Sequence, residues 1–111
     1  MERQVNKITK DGMVAVLISP GYGAGWYTWN SNLPGLVFNP TLVEMVEKEK
    51  SHEITEELCR VLLGLPSDER VCVLGASDLC VVWVPLGTRF RIEEYDGSES
   101  IITAEDLELV A

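Results

Sequence analysis

The strongest constraint on the fold is Met13-Val-Ala-Val-Leu-Ile18, a run of apolar, mostly β-favouring residues held between two turn signals, Asp11-Gly12 and Ser19-Pro20. Such a run without polar alternation predicts a strand buried on both faces. The segment that follows therefore hangs from a central strand. It is Gly21-Tyr-Gly-Ala-Gly-Trp-Tyr-Thr-Trp-Asn30, which has neither helical nor alternating periodicity, and Leu33-Pro34-Gly35 closes it with a turn signal.

The 111 residues suit one domain, 1–111, and are too few for two cores of normal size. Residues 1–11 are polar, lack the apolar core of a secretion signal, and are expected to be flexible. Apolar residues at 46% and charged residues at 24% match globular composition, so a packed core is affordable. Nine basic against eighteen acidic residues leave a formal charge of -9, which repels polyanions and disfavours nucleic acid as a partner. No apolar run is long enough to span a membrane, and no membrane partner is expected. Cys59, Cys72 and Cys80 form no C-x-x-C pair and are odd in number, so they read as buried thiols in a reducing cytoplasm.

Leu36-Val-Phe38 reads as a short strand. Asn39-Pro40 is a helix start, with Asn as cap and Pro where a missing N–H costs nothing. Leu42, Val43 and Val46 then share a face. After the charged stretch Glu47–Lys50, helical spacing resumes at Ile54, Leu58, Val61 and Leu62 and ends at Gly64, which gives two helices or one bent near Ser51. Val71–Leu74, Leu79–Val84, Thr88–Tyr95 and Ser98–Thr103 read as strands. Asp96-Gly97 suits a two-residue hairpin turn, pairing Tyr95 with Ser98 and Ile92 with Ile101. That register also sets Glu94 opposite Glu99, an unfavourable like-charge pair unless the loop is longer or something compensates it. The fold class is thus α+β: a small domain, mainly antiparallel sheet, with one or two helices packed on one face.

Gly21, Gly23 and Gly25, with Ala24 between, give the loop backbone freedom and room for close approach, and successive N–H groups in such a loop can cradle an anion. The known phosphate fingerprints fail, because Trp26 stands where a dinucleotide motif needs glycine and no Gly-Lys-Ser/Thr follows. Tyr22, Trp26, Tyr27 and Trp29 crowd the same loop in a chain with two Phe, three Tyr and three Trp. Flat rings beside free donors suit a planar ligand, and Asn30 and Asn32 add amide groups that could read its edge. The alternative is that the glycines let Trp26 and Trp29 fold back onto the core. Arg89 and Arg91 flank Phe90, so a strand puts both guanidinium groups on one face, able to clamp a phosphate or carboxylate or simply to pair with Glu93. Glu93, Glu94, Asp96 and Glu99 gather at the hairpin tip without the spacing of a calcium loop. His52 neighbours no candidate nucleophile, which counts against hydrolase devices. No catalytic residue, metal ligand or cofactor is assigned.

Ser19-Pro-Gly-Tyr-Gly-Ala-Gly-Trp-Tyr-Thr-Trp29 together with Gly87-Thr-Arg-Phe-Arg-Ile-Glu-Glu-Tyr-Asp-Gly-Ser-Glu99 resembles small uncharacterised proteins of bacteriophages and prophages. The resemblance covers most of the chain and implies a setting, the cytoplasm of an infected bacterium, without an activity. The expectation is a non-enzymatic binding protein, a sponge for a nucleotide-derived immune signal. Its site would be Gly21, Tyr22, Gly23, Ala24, Gly25, Trp26, Trp29, Asn30, Arg89 and Arg91. The rival expectation is an acidic interaction module that blocks a host defence protein. A cytosolic homo-oligomer is expected, since a short chain with many apolar residues and several strands has edges to cover.

Overall fold

The computed structural model describes residues 7–103 as an α+β arrangement with two antiparallel sheets. Strand β1 (Thr9–Lys10) pairs with β2 (Met13–Ile18), and β2 pairs in full with β3 (Cys80–Pro85), from Met13 opposite Pro85 to Ile18 opposite Cys80. β2 is the central strand, and Val14 to Ile18 are all buried, as its unbroken apolar run predicts. Part of the segment 1–11 is thus drawn into the sheet through β1; residues 1–6 lie outside the described residues.

Helix α1 (Gly35–Phe38) corrects the strand expected there. Its Leu36 and Val37 are buried in the core beside β2, and the single turn is entered through Pro34, whose fixed φ suits a helix start. Helix α2 (Pro40–Glu47) begins as expected, with Asn39 Oδ1 accepting from the Thr41 and Leu42 N–H groups at 3.0 and 3.2 Å, a cap worth about 1 kcal/mol. Leu42 and Val43 go into the core. A single 3-10 turn at Ser51–Glu53 separates it from α3 (Glu56–Leu63), capped by Thr55 and ended by Gly64, so two helices stand where two or one were expected. The buried face of α3 carries Cys59, while Val61, expected on that face, is exposed.

Residues 71–74 form no strand. Side chains hold the backbone there: Val71 N–H donates to Glu56 Oε2 at 2.7 Å, and Asn30 both accepts from Cys72 N–H and donates to Cys72 C=O, at 2.9 Å each. Asn30 thereby replaces a neighbouring strand. Strands β4 (Phe90–Tyr95) and β5 (Ser98–Thr103) form the expected hairpin, with Asp96 at φ 51° and Gly97 at φ 87° in its two-residue turn and Glu94 directly opposite Glu99. Of the three cysteines only Cys59 is buried; Cys72 and Cys80 are half-buried, a correction to the expectation for all three. No helix among the described residues is long and apolar enough to cross a membrane.

Candidate functional site

The loop closes on an anion that belongs to the chain itself, and the donors are Ser19 and Thr28 at its ends, not the glycines. Glu99 is 2% exposed, and its carboxylate lies inside the loop. Oε1 accepts from Ser19 N–H at 2.9 Å and Ser19 Oγ at 3.2 Å; Oε2 accepts from Thr28 N–H at 2.7 Å and Thr28 Oγ1 at 2.9 Å. The Glu99 N–H in turn donates to Ser19 C=O at 2.9 Å. None of the ion pairs among the described residues includes Glu99. Four aligned donors offset the cost of burying this carboxylate where no cation does. They also resolve the like-charge pair of the hairpin register: Glu99 turns into the loop, while Glu94 stays outside and accepts from Trp29 Nε1 at 3.3 Å.

The hairpin turn docks on the same loop. Gly23 N–H donates to Asp96 C=O at 2.8 Å, and Ser98 Oγ donates to Pro20 C=O at 2.6 Å. Gly97 sits so close that a Cβ there would lie 2.5 Å from the Gly23 carbonyl carbon. Trp26 N–H donates to Ser19 Oγ at 2.9 Å. Those loop donors are thus engaged within the chain.

The expected site residues divide accordingly. Trp26 is fully buried, and its indole N–H donates to Leu36 C=O at 2.9 Å, so its ring is core and offers no face to a ligand. Asn30 is buried with its amide spent on Trp26 C=O and on Cys72, and Gly25 is buried beside them. Gly21 and Ala24 are half-buried, with the Gly21 backbone against the Asp78 carboxylate. Tyr22, Gly23 and Trp29 are exposed, Tyr22 at 72%. Arg89 is exposed ahead of β4, and Arg91 is held by Glu93 at 2.6 Å, the plain pairing weighed above.

Loop and arginine strand do meet, at a groove of about 400 Å³ between α1 and β4. Tyr27, Phe38 and Phe90 supply rings, Val37 and Ile92 aliphatic walls, and Arg91 a charge at the wall. The Phe38 and Phe90 rings meet edge to face with centroids 6.3 Å apart, and Lys7 Nζ lies 4.6 Å above the Phe38 ring. Of the expected residues only Arg91 lines this groove. In the sequence Phe90 stands out only as the residue between two arginines, Tyr27 as one of the loop's rings, and Phe38 as part of an expected strand. Their convergence depends on α1 being helical, which a three-residue apolar run does not announce. Among the described residues no three His, Cys, Asp or Glu side chains group as a metal ion requires. Comparison of the chain with protein-family models, curated proteins and solved structures returned no match.

Proposed function

We propose that the protein is a non-enzymatic binder of a small planar anion, held in the groove between α1 and β4 and not by the glycine loop. The observation that carries this reading is the chemistry of the groove: three aromatic rings beside a guanidinium, with Lys7 at the Phe38 ring, in a chain of net charge -9. Its size falls in the usual range for small-ligand sites, roughly 300–1,000 Å³. A base or similar flat group would lie against Phe38 and Phe90, and its phosphate or carboxylate would take Arg91 from Glu93, with Arg89 one residue from Phe90 as a second donor. With the phage resemblance, the ligand class is a nucleotide-derived signal and the role is sequestration in the host cytoplasm. The glycine loop serves this site indirectly, by locking the hairpin that carries Phe90 and Arg91 against α1.

Thermal-shift screening against mononucleotides and signalling dinucleotides tests the proposal, since a ligand at a hundred times its dissociation constant adds about 2.7 kcal/mol to stability. A shift lost in both Phe90→Ala and Arg91→Ala is expected. A panel without any shift, or a shift that both variants retain, overturns it. The rival reading, a module that binds a host protein, draws on Tyr22, Trp29 and Tyr95, all exposed on the loop and hairpin.

A further inference from the structure

The strand edges of this molecule are managed unequally. β5 is covered where Ser19 bonds Glu99, β4 carries Arg91, Glu93 and Glu94, and β1 is two residues long and includes Lys10. β3, Cys-Val-Val-Trp-Val-Pro, has six residues and no charge, and among the described residues no strand but β2 pairs with it. Uncharged edges of this length invite a further strand.

The ladder shows which groups that edge offers. Leu86 N–H donates to Gly12 C=O at 2.8 Å, which continues the β2–β3 register and marks it as a hydrogen-bonded pair. Alternation then makes Val14–Val84, Val16–Val82 and Ile18–Cys80 the bonded pairs, so the peptide groups of Val81, Trp83 and Pro85 point away from β2. On the other side of β2, Ala15 N–H donates to Ile8 C=O at 3.0 Å, which agrees with this alternation. Pro85, lacking an N–H, therefore stands at an outward position, where proline is tolerated in a sheet. Val81 and Trp83 each present an N–H and a C=O outward, and no hydrogen bond among the described residues reaches them.

We infer that the β3 edge is where a second copy of this chain docks, giving a two-fold dimer with a continuous six-stranded sheet. The occupant follows from symmetry and charge. An antiparallel pair centred on Val82 sets Val81 opposite Trp83 of the second copy and Trp83 opposite its Val81, which satisfies all four outward groups in each protomer. Registers centred on Val81 or on Trp83 leave groups unmatched, because Pro85 has no N–H to give and the Leu79 N–H is already donated to Ala76 C=O. Two bodies of charge -9 repel, and β3 is the long edge at which they meet with no carboxylate in the contact. The half-buried Val81, Val82 and Trp83 side chains lose their remaining exposure there.

Light scattering on the full chain at micromolar concentration, with two variants, tests the inference. Val81→Pro removes an outward N–H and leaves every β2–β3 bond in place, so it should halve the measured mass while circular dichroism stays that of the wild type. The second variant keeps the test open should Val81→Pro fail to fold. Val82→Cys, in a background of Cys72→Ala and Cys80→Ala, places a thiol on the two-fold axis at a non-bonded pair, where the two Cα atoms stand roughly 4.5 Å apart. Mild oxidation should cross-link it as a dimer, and exposed Leu86→Cys in the same background should stay uncross-linked. A monomeric wild type overturns the proposal, as does a dimer that survives Val81→Pro or a Val82→Cys protein that cross-links no better than Leu86→Cys. A monomer would leave the edge to an extended segment of another protein.

Discussion

Glu99 occupies a position where the inward face of a hairpin ordinarily carries an apolar side chain, and its two oxygens close the loop as a backbone partner would. Glu99→Ala strips the acceptors from the Ser19 and Thr28 amides, and each buried amide left without a partner costs about 1–3 kcal/mol. A loss of about 2–5 kcal/mol in denaturant titration is therefore expected. Glu99→Gln keeps the shape but turns an NH2 group toward two donors, so it should rank between wild type and Glu99→Ala. Equal stability of all three would show the loop to be set by other contacts. Cys59 gives a prediction in pH. Burial, with a smaller contribution from the Glu56 charge, pushes its thiol up to about 11 from the ordinary 9.0. Because the folded state keeps the proton that the unfolded chain releases, the contribution is intact below pH 9.0 and is lost as pH rises toward about 11. Cys59→Ala should flatten that part of the stability–pH curve against wild type.

The β4–β5 hairpin depends on Gly97 for two separate reasons. Its φ of 87° suits glycine, and its missing side chain admits the Gly23–Ala24 backbone. Gly23 has φ 120°, yet a Cβ there would meet nothing within 4 Å. Gly23→Ala should accordingly cost only backbone strain, about 1–3 kcal/mol, whereas Gly97→Ala adds a collision between two backbones and should cost clearly more. Chemical denaturation of the two variants checks the order; equal losses would mean that the hairpin turn is free of the loop. The turn itself was legible, since Asp96-Gly97 between two strand patterns leaves few other readings, and the Glu94–Glu99 clash it implied marked a pair needing compensation without saying which of the two would be buried. Asn39-Pro40 and Gly64 bounded helices as expected for the same local reason. Leu36–Phe38 and Val71–Leu74 were misread because a short apolar run carries no period. Residues 71–72 are held by the distant side chains of Asn30 and Glu56, and α1 by the burial of its own Leu36 and Val37 in the core.

At the scale of the whole molecule the charge of -9 opposes the inferred dimer without touching its contact strand. Added neutral salt screens that repulsion over roughly 8–10 Å at physiological strength, so the dimer should tighten as salt rises. Analytical ultracentrifugation across a salt series checks this, and weakening with salt would point to a contact made of ion pairs. The candidate site was less legible than the fold. The glycines suggested that their own N–H groups would hold an anion, whereas the donors are Ser19 and Thr28; sequence could not say that Glu99 was the anion, nor that Trp26 would be spent on the core. Ser19 and Glu99 are 80 residues apart, and this distance governs the order of assembly. A growing chain makes the loop early and its carboxylate late, so until β5 arrives the Ser19 and Thr28 amides have no acceptor and the hairpin cannot close over the loop. Closing so wide a gap must precede any reward from it, which slows the step that buries Glu99 in the loop.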